Sequence, residues 1–308
     1  MKLATRINSF IKDDRTLIDV LDELGAIRGL THVDLNYPEH FESQDIVEIK
    51  DALSRNNLAV NGIALRFREQ FVNGELGNSD QILAQNAKQL CLDAVDLTKE
   101  LGGNQITIWL GYDGFDYSFQ IDYAKVWQQV TEAIREVADY DPRILVSIEY
   151  KPYEPRTHSL ISDIGTTLLL INDIGRENVG VTLDFCHMKM KNENPAYGLA
   201  LAAERGRLFG VHLNDGYGLT DDGLMVGSVN LVQTLEFIYY LKKYGYSGVI
   251  YFDTFPIREC PAAECETNIR LLQRYFSLID SIGMAKIAEI IDKNDALAAQ
   301  EILLKCLR

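Results

Sequence analysis

VGVTLDFCHMKMKNENPAYGLALAAERGRLFGVHL, residues 179–213, holds the unit that decides the fold. Its opening run, 179–184, is rich in β-formers; an amphipathic stretch follows near 195–206, with Pro195 at its start; a second β-rich run occupies 208–213. Proline is preorganised for the first helical position. A strand, a helix of this length and a second strand in succession predict a parallel pair joined by a crossover helix.

The same alternation runs outward in both directions. Further strand-like runs at 2–8, 31–36, 58–64, 105–110, 144–150 and 248–253 bring the total to eight, and helical patterns lie near 15–26, 43–56, 80–102, 121–140, 160–175, 230–244 and 262–280. Eight strand–helix pairs predict an α/β fold, the closed (β/α)₈ or TIM barrel. A doubly wound open sheet would place a glycine-rich turn after its first strand, and Asn8-Ser9-Phe10 stands there instead. No Pro/Ser/Gly-rich linker interrupts the pattern, so residues 1–282 read as one barrel. Residues 283–308 read as a C-terminal helical extension, two short helices broken at Asn294-Asp295 whose apolar stripe is expected to pack on the barrel or on a second subunit.

Composition limits the partners. The 308-residue chain has a formal net charge of −15, which repels a phosphate backbone, so nucleic acid is not an expected partner. No apolar run approaches the roughly 18 residues of a membrane-spanning helix, and MKLATRINSF followed by Lys12, Asp13, Asp14 and Arg15 has no signal-peptide core. Five scattered cysteines, Cys91, Cys186, Cys260, Cys265 and Cys306, suggest reduced thiols and a cytoplasmic protein.

Barrel active sites lie at the C-terminal ends of the strands. The fifth predicted strand ends in Glu149, with Lys151 two residues on and on the same side; the sixth ends in Asp184, the seventh in His212 and the eighth in Asp253. A single aspartate at a strand end is ordinarily the N-cap of the next helix. Four consecutive strands each ending in a metal-competent group predict a cation site instead, and three carboxylates with one imidazole suit Mn²⁺ first, or Mg²⁺ or Co²⁺.

The segment IEYKPYEPRTHS, 148–159, resembles the Glu-x-Lys-Pro-x-Glu-Pro-Arg signature of xylose isomerases and is similar to the Glu-x-Lys-x-x-Glu-Pro segment of L-rhamnose isomerases. The resemblance continues through GTTLLLINDIG, TLDFCH, GVHLND and DDGLMVGSVN, covers residues 105–256, and in ligand order is nearer to L-rhamnose isomerase. It implies that Glu149, Asp184, His212 and Asp253 hold a structural metal and that Lys151 hydrogen-bonds the substrate oxygen near C1. It also implies His187 and Asp221 as ligands of a second, catalytic metal. Where the family carries a further aspartate two residues after Asp221, this chain has Gly223, so either Asp222 substitutes or one metal suffices.

His32 and Asp34 alternate inward on the second strand, and His32 is a candidate for proton relay during ring opening, or else a hydrogen-bonded core histidine. Trp109, at the end of the fourth strand, is a candidate to shield the substrate from water, or is plain core. The polar, aromatic segments 65–80 and 111–120 read as mouth loops, with Arg66, Arg68 and Phe67 as candidate substrate contacts. No phosphate-binding glycine loop follows the seventh or eighth strand, which favours an unphosphorylated sugar. The resemblance implies a metal-dependent aldose–ketose isomerase working by hydride shift, because a ketose 3-epimerase would carry glutamate where Asp253 stands and would lack Lys151. A sugar-binding or inositol-dehydratase-like relative is the further alternative. Abasic-site endonucleases, similar in fold, need more histidines than the five present and a basic groove. Relatives of this kind mostly associate, so a homo-oligomer is expected.

Overall fold

The computed structural model describes residues 1–12 and 15–306. Among them are ten strands. Eight form one sheet: β1 (Lys2–Thr5), β2 (His32–Tyr37), β3 (Ala59–Leu65), β4 (Gln105–Trp109), β6 (Leu145–Glu149), β8 (Val179–Asp184), β9 (Leu208–His212) and β10 (Val249–Phe252). The other two, β5 (Gly114–Phe115) and β7 (His158–Ser159), make a small antiparallel ribbon that the sequence did not suggest. Every pairing in the large sheet is parallel, in the order β1-β10-β9-β8-β6-β4-β3-β2. The remaining seam is bridged at Thr31, whose backbone N–H donates to Leu3 O at 3.0 Å while its hydroxyl accepts from Leu3 N at 3.0 Å. The sheet is therefore a nearly closed TIM barrel, as the repeated pattern predicts.

Helices α1 (Leu17–Ala26), α2 (Ile46–Arg55), α3 (Gln81–Glu100), α4 (Tyr123–Tyr140), α5 (Ile164–Ile174), α6 (Phe185–Met190), α7 (Pro195–Glu204), α8 (Leu231–Lys243) and α9 (Pro261–Ile282) follow the strands. Their starts are chemically marked. Asp45, Asp80, Asp122, Asp163, Asp184 and Asn194 each accept a backbone N–H of the first turn, and Thr16 forms a capping box with Asp19. After Gly283 come α10 (Met284–Asp292) and α11 (Ala296–Cys306), separated at Asn294-Asp295; Ile287 and Ile290 of α10 are buried. No described helix is long and apolar enough to cross a membrane.

Alternation along each strand divides the molecule into two interiors. Residues such as Ile106, Ile108, Val146, Ile148, Val181 and Leu183 face the helices and join the main apolar core. The opposite face points into the barrel and is largely polar: Ser147 and Thr182 hydroxyls meet at 2.6 Å, and Asp34 accepts from Asn61 Nδ2 at 2.7 Å. Gly210 belongs to that layer, where a Cβ would come within 2.3 Å of the Thr182 hydroxyl. Each inward row thus runs from the N-terminal end of the barrel to its mouth: Gln105, Thr107, Trp109 on β4; Leu145, Ser147, Glu149 on β6; Val249, Tyr251, Asp253 along β10 and one residue beyond.

Candidate metal centre

Glu149, Asp184, His212 and Asp253 end four neighbouring strands at the same level. One ligand atom from each falls within 4.8 Å of all the others. His212 Nδ1 lies 3.2 Å from Glu149 Oε1 and 4.0 Å from Asp184 Oδ2, and its ring leans on Tyr251 with centroids 4.6 Å apart. Asp184 does act as a helix N-cap, accepting the His187 N–H on Oδ1 at 2.9 Å. The cap uses one oxygen. Asn214 Nδ2 holds the other at 3.0 Å and also donates to Asp253 O at 3.0 Å, so one amide positions two of the four groups. Asn214 was not singled out from the sequence, although it stands two residues after His212 and so shares its inward row.

The electrostatics describe a site awaiting a positive charge. Burial opposes ionisation of Glu149, yet the His212 and His187 rings hold it down to about 2. Burial and the neighbouring carboxylates push Asp184 up to about 7. His212 would be lowered by burial, but Glu149, Asp253 and Asp184 raise it to about 9; His187, facing Asp184 and Asp221, rises to about 10. The imidazoles thus serve as protonated counter-charges to the carboxylates. Asp253 Oδ1 is buried without a hydrogen-bond donor, its nearest cation being Arg6 Nε at 3.4 Å. An orphaned carboxylate oxygen amid two other carboxylates and an imidazole is a donor set that fits a divalent cation.

The groups expected at a second metal are arranged differently. His187 is committed at both nitrogens, Nδ1 to Tyr150 O at 3.0 Å and Nε2 to Asp221 Oδ2 at 3.2 Å. Asp221 Oδ2 is also 3.1 Å from Lys151 Nζ, which in turn reaches Glu154 at 2.9 Å and lies 5.5 Å above the Trp109 ring. Burial of Lys151 is outweighed by Asp221 and Glu154, which keep its ammonium protonated. Asp222 does not turn toward the centre; it accepts from Tyr217 N and Thr220 Oγ1, both at 2.7 Å, within its own loop. At Gly223, with φ of +55°, a Cβ would meet the Phe255 ring at 2.3 Å. No side chain can take the missing aspartate's place there without displacing Phe255.

The cavity over the centre has a volume of about 180 Å³ and brings Arg6, Asp34, Arg66, Trp109, Tyr251 and Phe255 to the same space as the carboxylates. Arg66 and Trp109 therefore stand where the sequence places them. Arg6, Tyr251 and Phe255 were missed; Arg6 and Tyr251 lie on inward rows, a signal that alternation could have supplied. Two expectations are corrected. His32, a candidate for proton relay, opens β2 and so lies at the opposite end of the barrel from the centre, where it lines a cavity with Lys2, Gln105 and Val249, with its Nδ1 2.8 Å from the Thr31 hydroxyl. Phe67 points away from the mouth and packs edge-on against Phe71, centroids 5.4 Å apart. Segments 65–80 and 111–120 are pinned to each other: Glu75 accepts from the backbone N–H groups of Tyr112 and Asp113, and Asp113 accepts from those of Glu75 and Gly77.

The profile of the xylose isomerase-like TIM barrel family matches residues 22–275. Xylose isomerase of Thermus thermophilus is 28% identical over 254 residues, 79% of this chain and 66% of that protein. A probable sugar isomerase of Mesorhizobium japonicum is 25% identical across 94% of this chain and 71% of its own length. The chain spans half to two thirds of the length of the two Thermus xylose isomerases that it matches. The structure of an L-ribulose 3-epimerase superimposes with a TM-score of 0.76, covering 94% of this chain and 98% of that one, at 16% identity, a likeness of fold alone.

Proposed function

From the premise that this chain belongs to the xylose isomerase-like TIM barrel family, we propose that it is a divalent-metal-dependent sugar isomerase. It would interconvert an unphosphorylated aldose and the corresponding ketose. The observation carrying this reading is the convergence of Glu149, Asp184, His212 and Asp253 within 4.8 Å, with Lys151 two residues beyond Glu149 on the same inward row. Bound there, Mn²⁺, or Mg²⁺ or Co²⁺, would polarise the substrate's carbonyl and neighbouring hydroxyl oxygens.

The residues supply the rest. Aldose–ketose exchange is redox-neutral: a hydride leaves C2 for C1 while the O2 hydroxyl proton is lost and a proton is gained at O1. Lys151, kept charged by Asp221 and Glu154, donates to O1 as negative charge develops there. Asp221, held ionised by His187 and Lys151, orients the ammonium, and the proton lost at O2 is the one gained at O1, passed between the two neighbouring substrate oxygens. The Trp109 face bounds the chamber and excludes water. One cation suffices in this reading, since His187 and Lys151 both already occupy Asp221 Oδ2.

An aldose panel incubated with Mn²⁺-loaded protein in D₂O tests the reaction. Ketose formed without deuterium at C1, which keeps the hydrogen that came from C2, is the expected result. Deuterium entering at C3 of a ketose would assign a 3-epimerase instead, and ketose carrying solvent deuterium at C1 would replace hydride shift by proton transfer. Bound manganese should number one per chain.

A further inference from the structure

We propose that the mouth carries an anion subsite built on Arg66, so that the sugar taken by this enzyme ends in a carboxylate at the carbon farthest from the cation. The proposal rests on the isomerase reading for which end of the sugar meets the cation.

Every other charged group lining the cavity already has a partner. Arg6 faces Asp253 at 3.4 Å, Lys151 bridges Asp221 and Glu154, the two histidines meet Glu149 and Asp221, and Asp34 accepts from Asn61 and from Gly62 N. The Arg66 side chain, among the described residues, takes part in no ion pair or hydrogen bond. Its Nε is buried with no acceptor, and so is Nε1 of Trp109 at the end of the neighbouring strand. Buried N–H groups are rarely left unmade in a finished site. Of the five buried side-chain polar atoms without a partner among the described residues, four line this one cavity: two acceptors, on Asp221 and Asp253, and two donors, on Arg66 and Trp109. The acceptors belong to the cation side, where substrate hydroxyls and the ion meet them. The donors stand one residue past β3 and at the end of β4, and call for an acceptor that the described residues do not provide.

That sector of the mouth is also positive. Arg68 is occupied by Glu39, which Asn8 Nδ2 holds at 3.1 Å as well, leaving no free carboxylate beside Arg66. His40, buried beneath, is driven down to about 4, first by burial and then by Arg66, Arg68 and Arg6 acting together against Glu39. The Arg66 fork feels Glu149 through space but makes no direct ion pair, and such a fork matches the two coplanar oxygens of a carboxylate.

The test is calorimetric binding of matched ligands to Mn²⁺-loaded protein: aldoses, the uronates with the same hydroxyl configuration, and their terminal phosphate esters. Each is measured against wild type, Arg66→Met and Arg66→Lys, with melting temperature and manganese content recorded for every variant. At least one uronate should bind about ten- to a hundredfold more tightly than its neutral aldose. Arg66→Met should abolish that preference, bringing the uronate and its neutral aldose to within about threefold of each other, and Arg66→Lys should retain part of it. Neutral aldoses binding as tightly as uronates to wild type would overturn the proposal without need of any variant. A uronate preference that survives Arg66→Met would also overturn it, by assigning the carboxylate to the cation, and a preference for phosphate esters would overturn the carboxylate class. Loss of manganese from wild-type protein would instead sink the isomerase reading, and the metal analysis keeps the two failures apart.

Discussion

The two ends of the barrel are built from the same eight strands and the same inward rows, yet they differ in almost every chemical respect. The N-terminal end opens on the larger cavity, about 560 Å³, lined by Lys2, His32, Asn61, Gln105, Leu145 and Val249. The mouth holds about 180 Å³ and gathers Glu149, Lys151, His187, His212, Asp221 and Asp253. Size does not mark the site. At the N-terminal end His32 meets only desolvation and Lys2, both of which lower its pKa. At the mouth His212 and His187 are driven the other way by carboxylates. One end is a polar floor; the other is an electrostatic trap for a cation. Segments beyond the strand ends explain the contrast: His187 is on α6, and Asp221 and Phe255 are on the connections after β9 and β10, none of them on a strand.

If the contrast is right, changes at the mouth should cost orders of magnitude and changes at the floor almost nothing. Glu149→Gln removes the charge of a proposed ligand and with it the ion pair to His212, 3.2 Å away. Manganese affinity should fall by more than the roughly hundredfold typical of losing an outer partner, and turnover should vanish with it; titration calorimetry showing manganese still bound at wild-type affinity would break the assignment. Lys151→Met should keep the metal and lower kcat by about 10²–10³, the usual cost of a lost donor at developing charge, measured by steady-state kinetics on protein of verified metal content.

The next effect is smaller and graded. In the metal-free protein His212 is raised to about 9, so at neutral pH it carries a proton that an incoming cation must displace. Manganese affinity should therefore climb about tenfold per pH unit between roughly 7 and 9 and level off above. Below about 7 Asp184 protonates as well, and the dependence should steepen. A flat affinity over pH 7–9 would mean that His212 is not displaced from its proton. The smallest expected effect sharpens the comparison from the other side: His32→Gln should change kcat and kcat/KM by less than about twofold, as a residue remote from the chemistry. A hundredfold loss would return His32 to the mechanism.

Much of this was legible before any coordinates. Strand ends fell within one to three residues of the expected positions, the largest error being the first strand, where Ile7–Ser9 turns into a 3₁₀ helix. Glu149, Asp184, His212 and Asp253 could be named because period-two alternation fixes the face and chain direction fixes the end. His32 shows where the same argument slips. Alternation correctly turns it inward, but it stands at the start of its strand, two residues below Asp34 and about 7 Å deeper at the usual rise. Phe67 slips for another reason, since a loop residue has no alternation to constrain it and the nearest apolar partner, Phe71, captured it.

The sequence alone determined the repeating strand–helix order, the barrel it implies and the identity of the groups at the strand ends, because these depend on local periodicity and on chain direction. Only the tertiary structure decided that Asn214 steadies two of those groups, that Phe255 occupies the space beside Gly223, that Asp222 is tied into its own loop, and that the Arg66 side chain finds no partner among the described residues. Each of these is a relation between residues distant along the chain. Such relations are set by how the barrel closes and how its loops fold over the mouth, and no local pattern records them.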